Sequence, residues 1–141
     1  PPRVEGIRVG AKADTLYFLH TAHVARPITD REREQMKSRR RPFVPPTVLK
    51  YVLHYEDGKT AEIPVVLERD IGHWLKERAT PLPGAQVGWS RPVAGGKRAV
   101  LYLTQARNPR PEARVQTIDI VRASDRATPA VVAISLGTVV K

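Results

Sequence analysis

Apolar residues recur mostly at every second position, in short runs separated by turn residues at fairly even spacing. That period marks half-buried strands, and the number and spacing of the runs predict an all-β sandwich or barrel. The clearest pair is TVLKYVLHYE followed by TAEIPVV. Leu49, Tyr51, Leu53 and Tyr55 share one face, and Ala61, Ile63 and Val65 repeat the pattern after a turn at Asp57-Gly58, a pair that tolerates the positive φ angles of tight hairpins. Pro64 has no N–H for a central ladder, which predicts an edge strand or a bulge there.

Further strands read at VEGIRV, DTLYFLHTA, AQVGWS, RAVLYLTQA, ARVQTIDIV and PAVVAISLG, about eight in all by this pattern. In ARVQTIDIV the apolar phase changes between Val115 and Ile118, as one extra residue in a β-bulge would make it do. Residues 23–46 break the alternation. They read as an insertion in which TDREREQMKSRR can form a short helix capped by Thr29 and ended by prolines. Pro81, Pro83, Gly84, Gly95 and Gly96 mark two later loops, and no internal repeat or low-complexity tract appears.

The length of 141 residues suits one domain, read here as residues 1–141. With no cysteine, disulfide frameworks, thiolate metal sites and a cysteine nucleophile are excluded. No apolar run is long enough for a membrane-spanning helix, so no membrane insertion is expected. The amino end lacks the pattern of a secretory signal, and a first residue of proline reads as a piece of a larger protein. The formal charge of +10 raises nucleic acid, acidic polymers or a membrane surface as partners. Eight basic and three acidic residues lie between Arg26 and Lys50, so half of that surplus falls on this one stretch, most of it in the insertion.

GIRVGAKADTLYFLHTA, YVLHYEDGKTAEIPVV, DIGHWL and QARNPRPEARVQTIDIV with its closing PAVVAISLG occur in this order along the chain. Together they resemble the galactose-binding-like β-sandwich domains appended to bacterial glycoside hydrolases and to surface or periplasmic proteins. The resemblance spans nearly the whole chain outside residues 23–46. It implies a jelly-roll sandwich with an accessory role, binding a ligand or packing against a catalytic domain, outside the cytoplasm as part of a larger protein.

No catalytic set can be assembled from the sequence, and the chain is not expected to be an enzyme. His20, His23, His54 and His73 show no metal-ligand spacing, and no Asp-rich loop offers a calcium site, so neither metal nor cofactor is expected. Glu56, Asp57, Glu62 and Asp119 read as turn and strand surface groups. Carbohydrate-binding sandwiches stack exposed aromatic rings on sugar faces and fix the hydroxyls with polar side chains. The two tryptophans supply candidates: Trp74 in the DIGHWL loop, and Trp89 followed by Ser90 and Arg91. Either tryptophan can instead be core, and Tyr17, Tyr51 and Tyr55 read as strand packing. Asn108, in the rigid Asn-Pro-Arg-Pro turn, can point at a ligand or hold its own turn. Trp74, Trp89, Arg91 and Asn108 are the candidate carbohydrate surface.

Arg31, Arg33, Lys37, Arg39, Arg40 and Arg41, interleaved with Asp30, Glu32 and Glu34, suit a solvated helical face. The alternative is a polyanion or nucleic-acid site at residues 31–41 centred on Arg39, Arg40 and Arg41, held through charge and weakened by salt. Gly95-Gly96-Lys97 lacks the spacing of a phosphate loop. The expected partner is a polysaccharide or a neighbouring domain of the parent chain, ahead of nucleic acid.

Overall fold

A computed structural model describes residues 3–40 and 42–138. Alternating runs become nine strands: β1 (Arg3–Ala11), β2 (Thr15–Val24), β3 (Thr47–Tyr55), β4 (Thr60–Val66), β5 (Leu75–Lys76), β6 (Gln86–Val93), β7 (Lys97–Arg107), β8 (Val115–Arg122) and β9 (Ala127–Gly137). They form two antiparallel sheets. Sheet I has the order β1-β8-β3-β4. In sheet II, β7 is flanked by β6 on one edge and by β2 on the other, β9 pairs with the far edge of β2, and the two-residue β5 also pairs with β7. β1 pairs with β8 and β2 with β7 and β9, so distant parts of the chain lie side by side, while β3–β4 and β6–β7 are local hairpins. The chain is an all-β sandwich.

Leu16, Phe18 and Ala22 of β2 face Leu49, Tyr51, Leu53 and Tyr55 of β3, together with Val115 and Ile118 of β8, and all are buried. The rings of Phe18 and Tyr51 stack across the sheets with centroids 3.7 Å apart. Pro64 stands on β4, the edge of sheet I, where its missing N–H costs no ladder bond. The bulge in β8 falls at Gln116, because His54 faces Thr117 while the adjacent Tyr55 faces Val115. At the β3–β4 turn, Gly58 takes the positive φ of 84°, whereas the Asp57 carboxylate accepts from the Lys59 amide at 3.0 Å.

β2 continues to Val24, so the departure from the strand pattern begins two residues later than expected. Within it, helix α1 (Asp30–Gln35) is shorter than the charged run predicted, but it opens with the Thr29 cap. Thr29 Oγ1 accepts from the Glu32 amide and Glu32 accepts from the Thr29 amide, a reciprocal capping box. Long-range pairs then fasten the segment to the sandwich. Arg33 grips Glu68 at 2.6 and 2.8 Å, and Arg126 grips Glu32 at 2.9 Å while donating to the carbonyls of Arg26 and Pro27. Hydrogen bonds from Arg126 and from the Thr29 amide hold the Glu32 carboxyl down to about 2. Arg33 and Glu32 therefore clasp the segment to the sandwich.

Candidate functional site

The two outer faces of the sandwich differ in chemistry. On sheet I the outward residues are largely charged: Asp119 accepts from the Gly6 amide at 2.8 Å and lies 2.8 Å from His54 Nε2 and 3.4 Å from Arg3, while Lys50 pairs with Glu62. Burial pushes the Asp119 carboxyl up, but the Gly6 amide, His54 and Arg3 together bring it below the ordinary range. This is an internally paired surface.

Sheet II presents a different outer face. Val100, Tyr102 and Thr104 of β7 point inward and are buried, so alternation turns Ala99, Leu101, Leu103, Gln105 and Arg107 outward. Trp89 faces Leu101 and Arg91 faces Ala99 from β6, while Leu19 faces Leu103 and Tyr17 faces Gln105 from β2. Trp89 and Arg91 thus share this face, and Trp89 is 46 % exposed. Two glycines let side chains lie close to the sheet. A Cβ on Gly137 would fall 3.0 Å from Tyr17 Cε2, and one on Gly88 would fall 2.5 Å from Leu19 Cδ1.

Beside the Tyr17 end lies a cleft of about 350 Å³ between this face and residues 81–86. Tyr17 and Leu103 supply its apolar wall and Gln86 and Gln105 bring amides. Its volume lies at the lower end of small-ligand sites, about 300–1,000 Å³. The loop is held by the sandwich itself. The Gly84 amide donates to the Arg69 carbonyl at 2.7 Å, and a Cβ on Gly84 would fall 2.4 Å from Asp70 Oδ1. The buried Asp70 accepts from the Val66 amide and from Arg69, and its carbonyl accepts from Thr104 Oγ1 at 2.7 Å. His20 completes this network from the core, its Nε2 lying 2.9 Å from Thr104 Oγ1 and 3.0 Å from the Asp70 carbonyl. Burial pushes the His20 imidazole below its ordinary value, which keeps it neutral.

Trp74 is placed apart from Trp89. Its amide donates to the Ala22 carbonyl and its carbonyl accepts from Val100, between the ends of β2 and β7, and its ring packs against His73. Trp74 is 40 % exposed, so both tryptophans reach solvent, but from opposite edges of β7. Asn108 belongs to the scaffold. It is 1 % exposed, its Nδ2 donates to the Ala13 carbonyl, and its Oδ1 accepts from Tyr55 and from the Arg110 amide, so burial keeps it from a surface ligand. The candidate surface read from the sequence therefore divides: Trp89 and Arg91 stay together, Trp74 stands elsewhere and Asn108 drops out. Tyr17, Gln86 and Gln105 join instead. The signal for them was the double apolar phase of β2 and β7, in which Tyr17, Leu19, Leu101 and Leu103 repeat opposite the core set.

His23 and His73 come together, with rings 5.4 Å apart. The Val24 amide donates to His73 Nδ1, so the ring proton sits on Nε2, and a metal at Nε2 would have to displace that arrangement. Burial and the charges of His23, Lys76 and Lys97 push His73 down. In the insertion, Arg39 and Arg40 are exposed, whereas Arg41 lies outside the described residues. An apolar hollow of about 380 Å³ runs under the insertion past Met36, Val44 and Leu67, and the charged groups on its wall, Glu68 and Arg69, are already paired with Arg33 and Asp70. Among the described residues no helix is long and apolar enough to cross a membrane.

The chain's class is thus an all-β sandwich with one paired polar face and one aromatic face. No protein-family model matches the sequence, and no significant match is found among the curated proteins or the solved structures.

Proposed function

We infer that the chain is a non-catalytic carbohydrate-binding module of a larger exported protein, and that it binds through the outer face of sheet II. The observation that carries this reading is the convergence of Trp89, Tyr17 and the amide-lined cleft on one solvent-facing sheet. Aromatic rings offer flat apolar surface to sugar faces, while Gln86, Gln105 and Arg91 are suited to hydroxyls. None of the five strands of sheet II contains Asp or Glu, so these strands supply no carboxylate pair of the kind glycoside hydrolysis uses. The likeness to galactose-binding-like domains in four ordered stretches, together with the sandwich, supports the same reading.

Affinity electrophoresis through gels cast with polysaccharides tests it. Retardation of the native chain that Trp89→Ala or Tyr17→Ala abolishes is the expected result. No retardation by any polysaccharide, or retardation indifferent to Trp89→Ala, overturns it; an apolar face without a glycan would then be a packing surface for a neighbouring domain. Polyanion binding through residues 31–41 is less well supported, since Arg33 is spent on Glu68 and no aromatic ring stands among the exposed Arg39 and Arg40.

A further inference from the structure

We propose that the glycan taken by the outer face of sheet II is an acidic one, bearing uronate or sulfate groups. This rests on the reading above and narrows it to a ligand class. The five strands of this sheet carry five Lys and Arg residues and no carboxylate, a bias that the whole chain, with 24 basic and 14 acidic residues, does not approach. Three of those cations belong to the outer face. Arg91 lies opposite Ala99, Lys97 faces Val93, and Arg107 faces Thr15. All three are exposed, and none makes an ion pair or side-chain hydrogen bond with another described residue. On sheet I, by contrast, Arg3 and Lys50 are matched with Asp119 and Glu62.

Exposed cations without a partner among the described residues are open to an anion, and a guanidinium donates paired N–H groups to a carboxylate or sulfate. From the Arg91 row to Arg107 the strand runs eight residues, roughly 27 Å at strand rise. A polymer spanning that distance would meet a cation at each end, with Trp89, Leu101, Leu103 and Tyr17 between them. Three cations around rings and amides suit a sugar chain, whose apolar faces and hydroxyls the rings and amides meet, better than a phosphate backbone, which is gripped chiefly through its successive charges.

Calorimetric titration of the full chain against dextran and galactan, polygalacturonate and alginate, dextran sulfate, and single-stranded DNA separates the possibilities. The expected result is acidic polysaccharides binding about tenfold tighter than neutral ones, the advantage shrinking in high salt. Lys97→Gln and Arg107→Gln should each reduce that advantage several-fold, about what one charged hydrogen bond contributes, and leave binding of neutral polymers unchanged. The carboxylate and sulfate arms show which group is preferred. Neutral binding that is lost in Trp89→Ala, with no acidic preference, overturns the acidic ligand while the carbohydrate reading stands. Failure of every polysaccharide overturns both. DNA binding as tight as that of the acidic glycans and indifferent to Trp89→Ala overturns the proposal in favour of a nucleic acid.

Discussion

Tyr51 reaches across the sandwich to His20, its phenol oxygen 2.7 Å from Nδ1. The other ring nitrogen faces a carbonyl, that of Asp70, which can only accept, so Nε2 carries the proton and Nδ1 accepts from Tyr51. Protonating Nδ1 would bury a charge and turn the Tyr51 hydroxyl from donor to acceptor. The folded His20 therefore titrates below its ordinary 6.5 while the unfolded chain does not.

Stability should accordingly fall in mild acid. As pH drops through 6.5 the unfolded chain takes up protons that folded His20 and His73 refuse, so the stabilisation is complete above that value and declines below it. Urea unfolding followed from neutral pH to about 5 checks this. His20→Gln should cost about 2–4 kcal/mol at neutral pH, leaving Tyr51, Thr104 and the Asp70 carbonyl poorly partnered, and should flatten the pH dependence. A native profile already flat over that range contradicts the assignment.

Gly84→Ala tests how the cleft loop is held. The added Cβ would meet Asp70 Oδ1 at 2.4 Å and the Arg69 backbone carbonyl at 2.9 Å, and the backbone atom cannot swing aside as a side-chain end can. A loss of about 1–3 kcal/mol is expected, with weaker glycan binding than the stability loss alone explains, because the wall carrying Gln86 shifts. A variant with native melting temperature and native affinity would show that the loop gives way without cost.

The clasp on the insertion makes a separate prediction. Glu32, held at about 2 by Arg126 and the Thr29 amide, contributes above the ordinary carboxylate range and loses its contribution as pH falls toward that value. Glu32→Gln or Arg126→Met should raise the rate of limited proteolysis between residues 26 and 46 several-fold while shifting the melting temperature by a few degrees at most, because the pair fastens one peripheral segment rather than the core. Unchanged cleavage would mean that Ile28, the segment's own residue buried in the core, suffices to hold it.

How much of this was legible beforehand follows from the range of the interactions. Alternation placed Leu49, Tyr51, Leu53 and Tyr55 on the core face, the phase change marked a bulge between Val115 and Ile118, and Thr29 announced the helix cap, all relationships within a few residues. The site depends on partners far apart. A register shift between Val87 and Trp89 sets which way Trp89 points, and that shift is defined by β7 rather than by β6 alone. Asn108 is buried because Tyr55, 53 residues earlier, donates to it. Tyr17 read as packing because a strand with apolar residues on both faces gives no sign of which face the other sheet covers. Glu68 and Arg126 become the clasp only once the β4–β5 and β8–β9 connections lie beside α1.

The most direct test of the glycan-binding face uses the tryptophans as reporters. In Trp74→Phe the emission comes from Trp89 alone, and in Trp89→Phe from Trp74 alone. Titrating each with a binding polysaccharide and measuring iodide quenching should show Trp89 shielded in the first variant, with Trp74 quenched as before in the second, its affinity reduced but saturation reached. Saturable binding that leaves Trp89 as accessible to iodide as in the free chain, or that shields Trp74 alone, would contradict the account.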